Sequence, residues 1–278
     1  MTLSNHLQKL AVCSWSLRPG NPEQLAGDLE TIGIKRVQLA LDPIREDPAT
    51  WGDCIAVLRS HGIEIASGMM TSVGEDYSTL ETIRVTGGIA PDGTWDRNLA
   101  NFTANAEIMK TNGVSTALFH AGFLPHDQDD PEFARMLGRL ATVAGVFDER
   151  GLGVVLETGQ EPASGLLAIL RKLDRPNVHA NFDPANMILY NTGNPIEALQ
   201  TLGSHVGSVH IKDANVTKVP GTWGEEVVVG TGQVDWREFF RALSEIGFSG
   251  DLCIEREACD TRVADIVTAR DHLQNLAV

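Results

Sequence analysis

The sequence predicts an α/β protein with a single domain, in which eight parallel strands close into a (β/α)8 barrel, the TIM-barrel architecture. Three observations lead to this prediction. Short apolar runs alternate along the chain with longer segments of helical periodicity, which is typical of parallel sheets. There are eight such units, the number at which a parallel sheet can close into this barrel. The length of 278 residues suits one barrel of about 250 residues, so we expect one domain over residues 1–278.

Each predicted strand is a short apolar run that ends at or just before a glycine or a polar residue. Pro184, for example, cannot donate a ladder hydrogen bond and closes the sixth strand directly after Asp183. The predicted strands are Ala11–Ser14, Arg36–Leu41, Ile63–Gly68, Ser115–His120, Val154–Glu157, Val178–Phe182, Val206–His210 and Leu252–Glu255.

The predicted helices begin at prolines or capping residues and stop at glycines, as Gly33 and Gly151 illustrate. They cover residues 22–31, 48–60, 77–85, 96–110, 131–150, 164–173, 194–202, 236–246 and 261–276. The residues before the first strand are expected to be loosely held. Residues 71–96 and 217–232 are long irregular segments, and loops of this length inside a domain commonly cover an active site.

Composition narrows the possible partners. The formal net charge is −15, which disfavours binding to nucleic acid or to anionic membranes and suits an enzyme of small molecules. The four cysteines form no CxxC pair, so we expect them to be reduced and structural. We find no signal peptide and no apolar stretch of membrane-spanning length, and a cytoplasmic protein is therefore expected.

Four consecutive predicted strands end in a residue that can bind a metal ion: Glu157, Asp183, His210 and Glu255. Catalytic groups of such barrels lie at the carboxyl ends of the strands, and neighbouring strands are only about 4.8 Å apart, so these side chains can converge. Three carboxylates and an imidazole suit one divalent ion, Mn²⁺, Mg²⁺ or Co²⁺, with Zn²⁺ as another option. The alternative to metal binding is that the four residues have common structural roles, as solvated glutamates, a hydrogen-bonded histidine and an aspartate that starts an Asx turn.

The motifs ETGQE, NFDPANM, VHIKDA and IERE, which contain these four residues, resemble the sugar isomerase/epimerase members of the xylose isomerase-like TIM-barrel superfamily. That superfamily includes endonuclease IV, D-tagatose 3-epimerase-like enzymes and inosose dehydratase. The resemblance implies that the four residues bind the metal ion and that Glu157 and Glu255 also transfer protons. It further implies that His120 and Asn186 match positions that face the substrate or, in the endonuclease, additional zinc ions. Gln160 and Lys212, which lie beside the motif residues, are further candidates for substrate binding.

Elementary chemistry supports a metal-dependent proton transfer. A C–H group next to a carbonyl is too weak an acid for a free carboxylate to ionise quickly. A divalent ion held by the carbonyl oxygen and the neighbouring hydroxyl stabilises the ene-diolate that forms. One glutamate can then remove the proton and the other return it. Epimerisation and aldose–ketose isomerisation use the same groups, so the sequence predicts a keto-sugar isomerase or epimerase without separating the two.

Three other functions stay open at this point. A keto-inositol or keto-sugar dehydratase or lyase would use the same proton abstraction. An endonuclease IV-like nuclease would need further histidines, whereas Asn186 follows Asp183 and the third strand ends in GMM. A non-catalytic sugar-binding barrel would need no ion. We expect a small sugar as the partner, without a phosphate group, and neither nucleic acid nor membrane; homo-oligomerisation stays open.

Overall fold

Eight parallel strands close into a barrel in the computed structural model of the chain, which describes residues 3–125, 127 and 129–276. The order of the strands around the barrel follows the chain, and the last barrel strand pairs with the first. Two further short strands form an antiparallel pair outside the barrel. The strands are β1 (Leu10–Cys13), β2 (Arg36–Ala40), β3 (Glu64–Met70), β4 (Thr116–Phe119), β5 (Gly153–Glu157), β6 (Val178–Phe182), β7 (Val206–Ile211), β8 (Asp213–Asn215), β9 (Glu225–Val227) and β10 (Asp251–Ile254).

Helices surround the barrel and cover the outer faces of its strands. They are α1 (Leu3–Leu7), α2 (Ser14–Leu17), α3 (Pro22–Ile32), α4 (Asp42–Glu46), α5 (Pro48–Trp51), α6 (Cys54–Ser60), α7 (Leu80–Thr86), α8 (Asp92–Asn112), α9 (Pro131–Asp148), α10 (Ala163–Leu173), α11 (Pro184–Leu189), α12 (Pro195–Leu202), α13 (Trp236–Glu245) and α14 (Arg262–Leu276), with a 3-10 turn at Gly203–His205. The predicted single-domain (β/α)8 barrel is confirmed; residues 1, 2, 126, 128, 277 and 278 of the predicted domain lie outside the described ranges.

Local signals in the sequence account for the ends of the main helices. The Asn21 side chain accepts a hydrogen bond from Gln24 N at the start of α3, and Gly33 ends the helix with φ of 76°. Asp235 caps α13 in the same way through Glu238 N. The apolar faces of these helices pack on the strands, and large side chains such as Phe147 are fully buried between the two layers.

Two local expectations are wrong. The predicted helix 48–60 is divided at Gly52–Asp53 into α5 and α6. The segment before the first strand is not loosely held, because it contains α1, and the buried His6 packs near the rings of Phe240 and Phe248. The residues after Pro184 form α11, since proline favours the first helical position as well as stopping a strand.

The predicted loop 217–232 is partly ordered by strand pairing. β9 lies within it and pairs with β8, which directly follows β7, so that Ala214 is opposite Glu226. The loop therefore returns to the mouth of the barrel instead of extending into solvent. Within the described ranges, no helix is both long and apolar enough to cross a membrane.

Candidate metal centre and active site

The ends of β5, β6, β7 and β10 bring four predicted residues to one point. From His210 Nδ1, Glu157 Oε1 lies at 3.5 Å, Asp183 Oδ2 at 3.8 Å and Glu255 Oε2 at 3.3 Å. All four side chains are at most 10% exposed. The expected convergence is therefore observed. The four residues are not separate loop residues in unrelated structural roles.

A neighbouring amide fixes the orientation of His210. Gln38 Oε1 in β2 lies 2.8 Å from His210 Nε2, and a carbonyl oxygen can only accept a hydrogen bond. Nε2 therefore donates to Gln38, which leaves Nδ1 to face the three carboxylates. Cys13 Sγ lies 3.8 Å from Nε2, on the other side of the ring, so we do not count it as a candidate ligand.

Asp183 divides its two oxygens between two roles. Oδ1 accepts hydrogen bonds from Ala185 N and Asn186 N at the start of α11, at 2.8 and 3.0 Å. Oδ2 is buried and has no hydrogen-bond partner among the described residues, although Lys212 Nζ lies 3.3 Å away. The Asx turn that was the alternative interpretation of this residue is thus present, and it leaves one oxygen aimed at the cluster.

Two asparagines orient Glu157. Asn181 Nδ2 donates to Oε2 at 2.7 Å, and Asn186 Nδ2 donates to Oε1 at 3.1 Å. Burial raises the pKa of Glu157 above its usual range, against the opposing influence of His210. Asn186 also lines the cavity described below. It is therefore placed both to orient Glu157 and to face a substrate, and the second of these is the role predicted for it.

Glu255 lies between an indole and an ammonium group. Trp15 Nε1 donates to Oε1 at 2.7 Å, and Lys212 Nζ donates to Oε2 at 2.7 Å. Burial alone would raise the pKa of Glu255, but Lys212 and His210 outweigh it and hold the pKa well below its usual range. Glu257, two residues further on, is 52% exposed against 7% for Glu255, which favours Glu255 as the residue of the cluster.

The cluster fits a divalent ion. His210 Nδ1 and Asp183 Oδ2 are both buried and both lack a hydrogen-bond partner among the described residues. Buried polar atoms are normally satisfied, and two such atoms facing each other indicate a missing partner that both can bind. Glu157, Asp183 and His210 offer ligand atoms within 4.8 Å of one another. Oxygen and imidazole donors without a thiolate suit Mg²⁺ or Mn²⁺, and also Co²⁺ or Zn²⁺.

A cavity of about 510 Å³ opens above the cluster. The predicted residues His120, Asn186 and Lys212 line it, together with Glu157, His210 and Glu255. Gln160 is not among the lining residues; it is 7% exposed and donates to Tyr190 OH at 3.4 Å behind the wall. Substrate binding by these residues stays a prediction.

A second polar group lies in the cavity wall, away from the cluster. Glu75 Oε1 in the loop after β3 is 3.3 Å from His120 Nδ1, just after β4. The amide nitrogen of Gln160 contacts both ring nitrogens of His120, Nε2 and, at 3.4 Å, Nδ1. Tyr77 and Tyr190 complete this wall.

The sequence reasoning missed five residues of the site. Gln38 and Asn181 could have been found as polar residues inside predicted strands, and both are fully buried. Glu75 carried no signal, since it lies in the least regular segment of the chain. The remaining two are Tyr77 and Tyr190.

Asp213 is a structural residue outside the cavity lining. Its buried carboxylate accepts hydrogen bonds from the backbone N–H groups of Gly230, Gly232 and Val234 and from Trp236 Nε1, all at 2.9–3.1 Å. It therefore ties the loop after β9 to β8.

Comparisons with known proteins agree with the barrel fold. The family described as xylose isomerase-like TIM barrel matches residues 27–276. A xylose isomerase domain protein from Planctomyces limnophilus is 31% identical, with a TM-score of 0.87 and 96% of each chain covered. An L-ribulose 3-epimerase has a TM-score of 0.75 at 16% identity, covering 96% of this chain and 94% of that one. A xylose isomerase-like barrel from Mycobacterium smegmatis, in complex with magnesium, has a TM-score of 0.70 at 18% identity, covering 92% and 87%.

Two relatives match over shorter segments. Protein YihM of Escherichia coli is 31% identical over 110 residues, 39% of this chain and 33% of that protein. Inosose dehydratase of Clostridium botulinum is 24% identical over 160 residues, 52% of each. The matches thus span about a third to a half of these relatives. On the family match, which covers most of the chain, and on the closed eight-stranded barrel, this protein belongs to the xylose isomerase-like TIM-barrel family.

Proposed function

We propose that this protein is a divalent-metal-dependent isomerase or epimerase of uncharged keto-sugars, in which Glu157 and Glu255 transfer the proton of a C–H group next to a ketone. The observation that carries the proposal is the pair of unsatisfied buried atoms, His210 Nδ1 and Asp183 Oδ2, between the two glutamates. The fold shared with an L-ribulose 3-epimerase supports it.

Glu157, Asp183, His210 and Glu255 would hold the ion. When bound, it would withdraw electron density from the ketone and thereby acidify the adjacent C–H group. Glu157 and Glu255 approach His210 Nδ1 from different strands, β5 and β10, so they can reach opposite faces of one carbon. One removes the proton and the other returns it. The hydrogen bonds from Asn181 and Trp15 hold each carboxylate in place during the transfer.

The charges of the cavity favour an uncharged sugar over a phosphorylated one. Five glutamates line it, and among the described lining residues Lys212 is the single lysine and there is no arginine. Lys212 is already paired with Glu255. Phosphate recognition needs free basic groups or a cradle of backbone N–H groups, and the acidic wall would repel it. The lining glutamates are Glu75, Glu157, Glu226, Glu255 and Glu257.

Aromatic rings supply the apolar part of the binding surface. Trp223 and Tyr190 pack edge to face at 4.7 Å, and Trp15 lies on the other side, near His210. Such rings stack on the C–H faces of sugars. Trp95 lies under Arg139 outside the cavity lining.

Solvent exchange tests the proposal. The protein is stripped with EDTA, reloaded with Mn²⁺ and incubated in D2O with D-fructose, D-allulose or a keto-inositol. We expect deuterium at the carbon next to the ketone, seen by NMR, only in the loaded protein. Glu157→Gln and Glu255→Gln should each reduce the exchange rate by about 10²–10⁴-fold. Glu225→Gln, a neighbouring exposed carboxylate outside the lining, is the matched control and should exchange like the wild type. Exchange that survives EDTA unchanged would refute the proposal.

A further inference from the structure

The hydrogen-bond ladder of the barrel carries one extra residue at two of the strand pairs described. The first of these points lies between β6 and β7. Ala180 of β6 pairs with Val206. The next residue of β6, Asn181, pairs with Ser208, so Gly207 is the extra residue of β7. An extra residue of this kind is a β-bulge, and bulges occur next to active sites, where they re-aim a side chain.

Both bulges lie beside a buried amide. At the second point, between β2 and β3, Gln38 pairs with Ser67 and Ala66 is the extra residue of β3. Gln38 and Asn181 are both fully buried. Each of these amides contacts one residue of the ion-binding cluster, because Gln38 accepts from His210 and Asn181 donates to a glutamate. The irregular points of the barrel thus coincide with the groups that orient the cluster.

The bulge at Gly207 determines which residue lies opposite Asn181. Without the extra residue, the partner of Asn181 would be Gly207, which has no side chain. With it, the partner is Ser208, which is 5% exposed and whose Oγ donates to Asn181 Oδ1 at 2.5 Å. Glycine is required at the bulge, because a Cβ there would lie 2.8 Å from His179 Cβ and 3.2 Å from Val155 Cγ1.

Ser208, Asn181 and Glu157 form a directed chain of hydrogen bonds. The Ser208 hydroxyl occupies the oxygen of the Asn181 amide, and the amide nitrogen donates to Glu157 Oε2 at 2.7 Å. A reversed amide would place its oxygen against the carboxylate, and two acceptors cannot form a hydrogen bond. A buried Asn181 oxygen without the serine would also lack a donor, which is unfavourable. The chain therefore fixes one oxygen of Glu157, while Asn186 binds the other.

We propose that Ser208 is a positioning residue of this active site: through Asn181 it sets the orientation of Glu157, and thereby the affinity of the cluster for a divalent ion and the rate of proton transfer. The inference rests on the proposed function, which makes Glu157 both an ion ligand and a proton-transfer group. Ser208 is not among the residues that line the cavity, so it acts through its neighbour and not on the substrate. Partners that orient metal ligands change metal affinity or activity by about 10–100-fold when they are replaced.

The Mn²⁺ affinity of the EDTA-stripped protein, measured by calorimetry, tests this role without any reaction. Ser208→Ala should weaken Mn²⁺ binding by about 10–100-fold. Ser208→Thr keeps the hydroxyl and should bind Mn²⁺ like the wild type. Ser67→Ala is the matched control, because Ser67 is a buried serine at the other bulge and its Oγ has no hydrogen-bond partner among the described residues. This control should also bind Mn²⁺ like the wild type.

A double-mutant cycle shows whether Ser208 acts through Asn181. In an Asn181→Ala background, Ser208→Ala should change the Mn²⁺ affinity by less than about 2-fold, whereas an independent contribution would repeat its full loss. A serine with a purely structural role would lower Tm and leave the Mn²⁺ affinity of the folded protein unchanged.

Deuterium exchange separates this inference from the proposed function. At saturating Mn²⁺, Ser208→Ala should exchange the best ketose of the wild type about 10–100-fold more slowly, with an unchanged KM. If Ser208→Ala bound Mn²⁺ as tightly as Ser67→Ala, or repeated its full loss in the Asn181→Ala background, the inference would be overturned and the proposed function left intact. If the wild type bound Mn²⁺ and exchanged no ketose, the proposed function would fall, and the calorimetric cycle would still decide the role of Ser208. A wild type that binds no Mn²⁺ would remove both.

Discussion

Replacing Lys212 by methionine tests how the charges of the cluster are balanced. The Lys212 ammonium is 4% exposed and lies 2.7 Å from Glu255 Oε2 and 3.3 Å from Asp183 Oδ2. Both carboxylates are almost fully buried. Lys212→Met preserves much of the side-chain volume and removes the charge, so it leaves two buried carboxylates without their cation.

The expected loss of unfolding free energy in Lys212→Met follows from this burial. Removing one partner of a buried ion pair costs about 3–5 kcal/mol. The third contact, to Glu257 at 3.3 Å, adds little because that carboxylate is 52% exposed. The variant should therefore lose about 3–5 kcal/mol of unfolding free energy without metal, or about 6–20 °C in Tm.

Mn²⁺ should reverse part of this loss. The oxygens that Lys212 contacts are those proposed to hold the ion, so the ammonium and the ion compete for them. Denaturant titrations are run with EDTA and with Mn²⁺ on wild type, Lys212→Met and Lys218→Met, an exposed lysine of the following loop. The Lys212 variant should gain more stability from Mn²⁺ than the wild type, and the Lys218 variant should differ from the wild type by less than about 0.5 kcal/mol. A Lys212 variant as stable as the wild type in EDTA would refute the charge balance described here.

Three other outcomes are expected. Gly88→Ala would bring a Cβ to 2.1 Å from Ala121 C, so it should separate the loop after β3 from the residues after β4 and increase amide hydrogen exchange in residues 75–90; unchanged amide exchange there would contradict this. Asp213→Ala leaves several N–H donors without their acceptor and should cost at least about 3 kcal/mol, with faster proteolysis within residues 217–232 as the check. The hydrogen bond to Glu30 raises the pKa of His61 above the usual 6.5, so the protonated histidine stabilises the fold below that value and the contribution is lost as pH rises through the folded-state pKa. His61→Gln should thus be destabilising at pH 5 and close to neutral at pH 9; equal effects at the two pH values would be inconsistent with this.

The strand ends could be predicted because their information is local. A short apolar run defines each strand, and a residue such as Asp183 before Pro184 stands out at its end. The barrel topology then brings these ends together without further information from the side chains. The same locality explains the confirmed fold and the observed convergence of Glu157, His210 and Glu255.

Features that depend on packing between distant segments could not be predicted. The contact between Glu75 and His120 requires two loops to meet at Gly88, and the irregular sequence around Glu75 specifies no such meeting. The ion pairs of Lys212 could not be predicted for a similar reason, since they depend on the register between neighbouring strands. The hydrogen bonds of Asp213 could not be predicted because its partners lie in a loop whose pairing with β8 the sequence pattern did not show.

Anomalous scattering from a crystal soaked in Mn²⁺ tests the central claim most directly. We expect one strong peak between His210 Nδ1, Asp183 Oδ2 and the carboxylates of Glu157 and Glu255, at about 2.0–2.6 Å from its ligand atoms. Asp183→Asn and His210→Gln crystals treated in the same way should show a much weaker peak or none. No peak among these four side chains at saturating Mn²⁺, or a peak that persists at full height in both variants, would contradict the account.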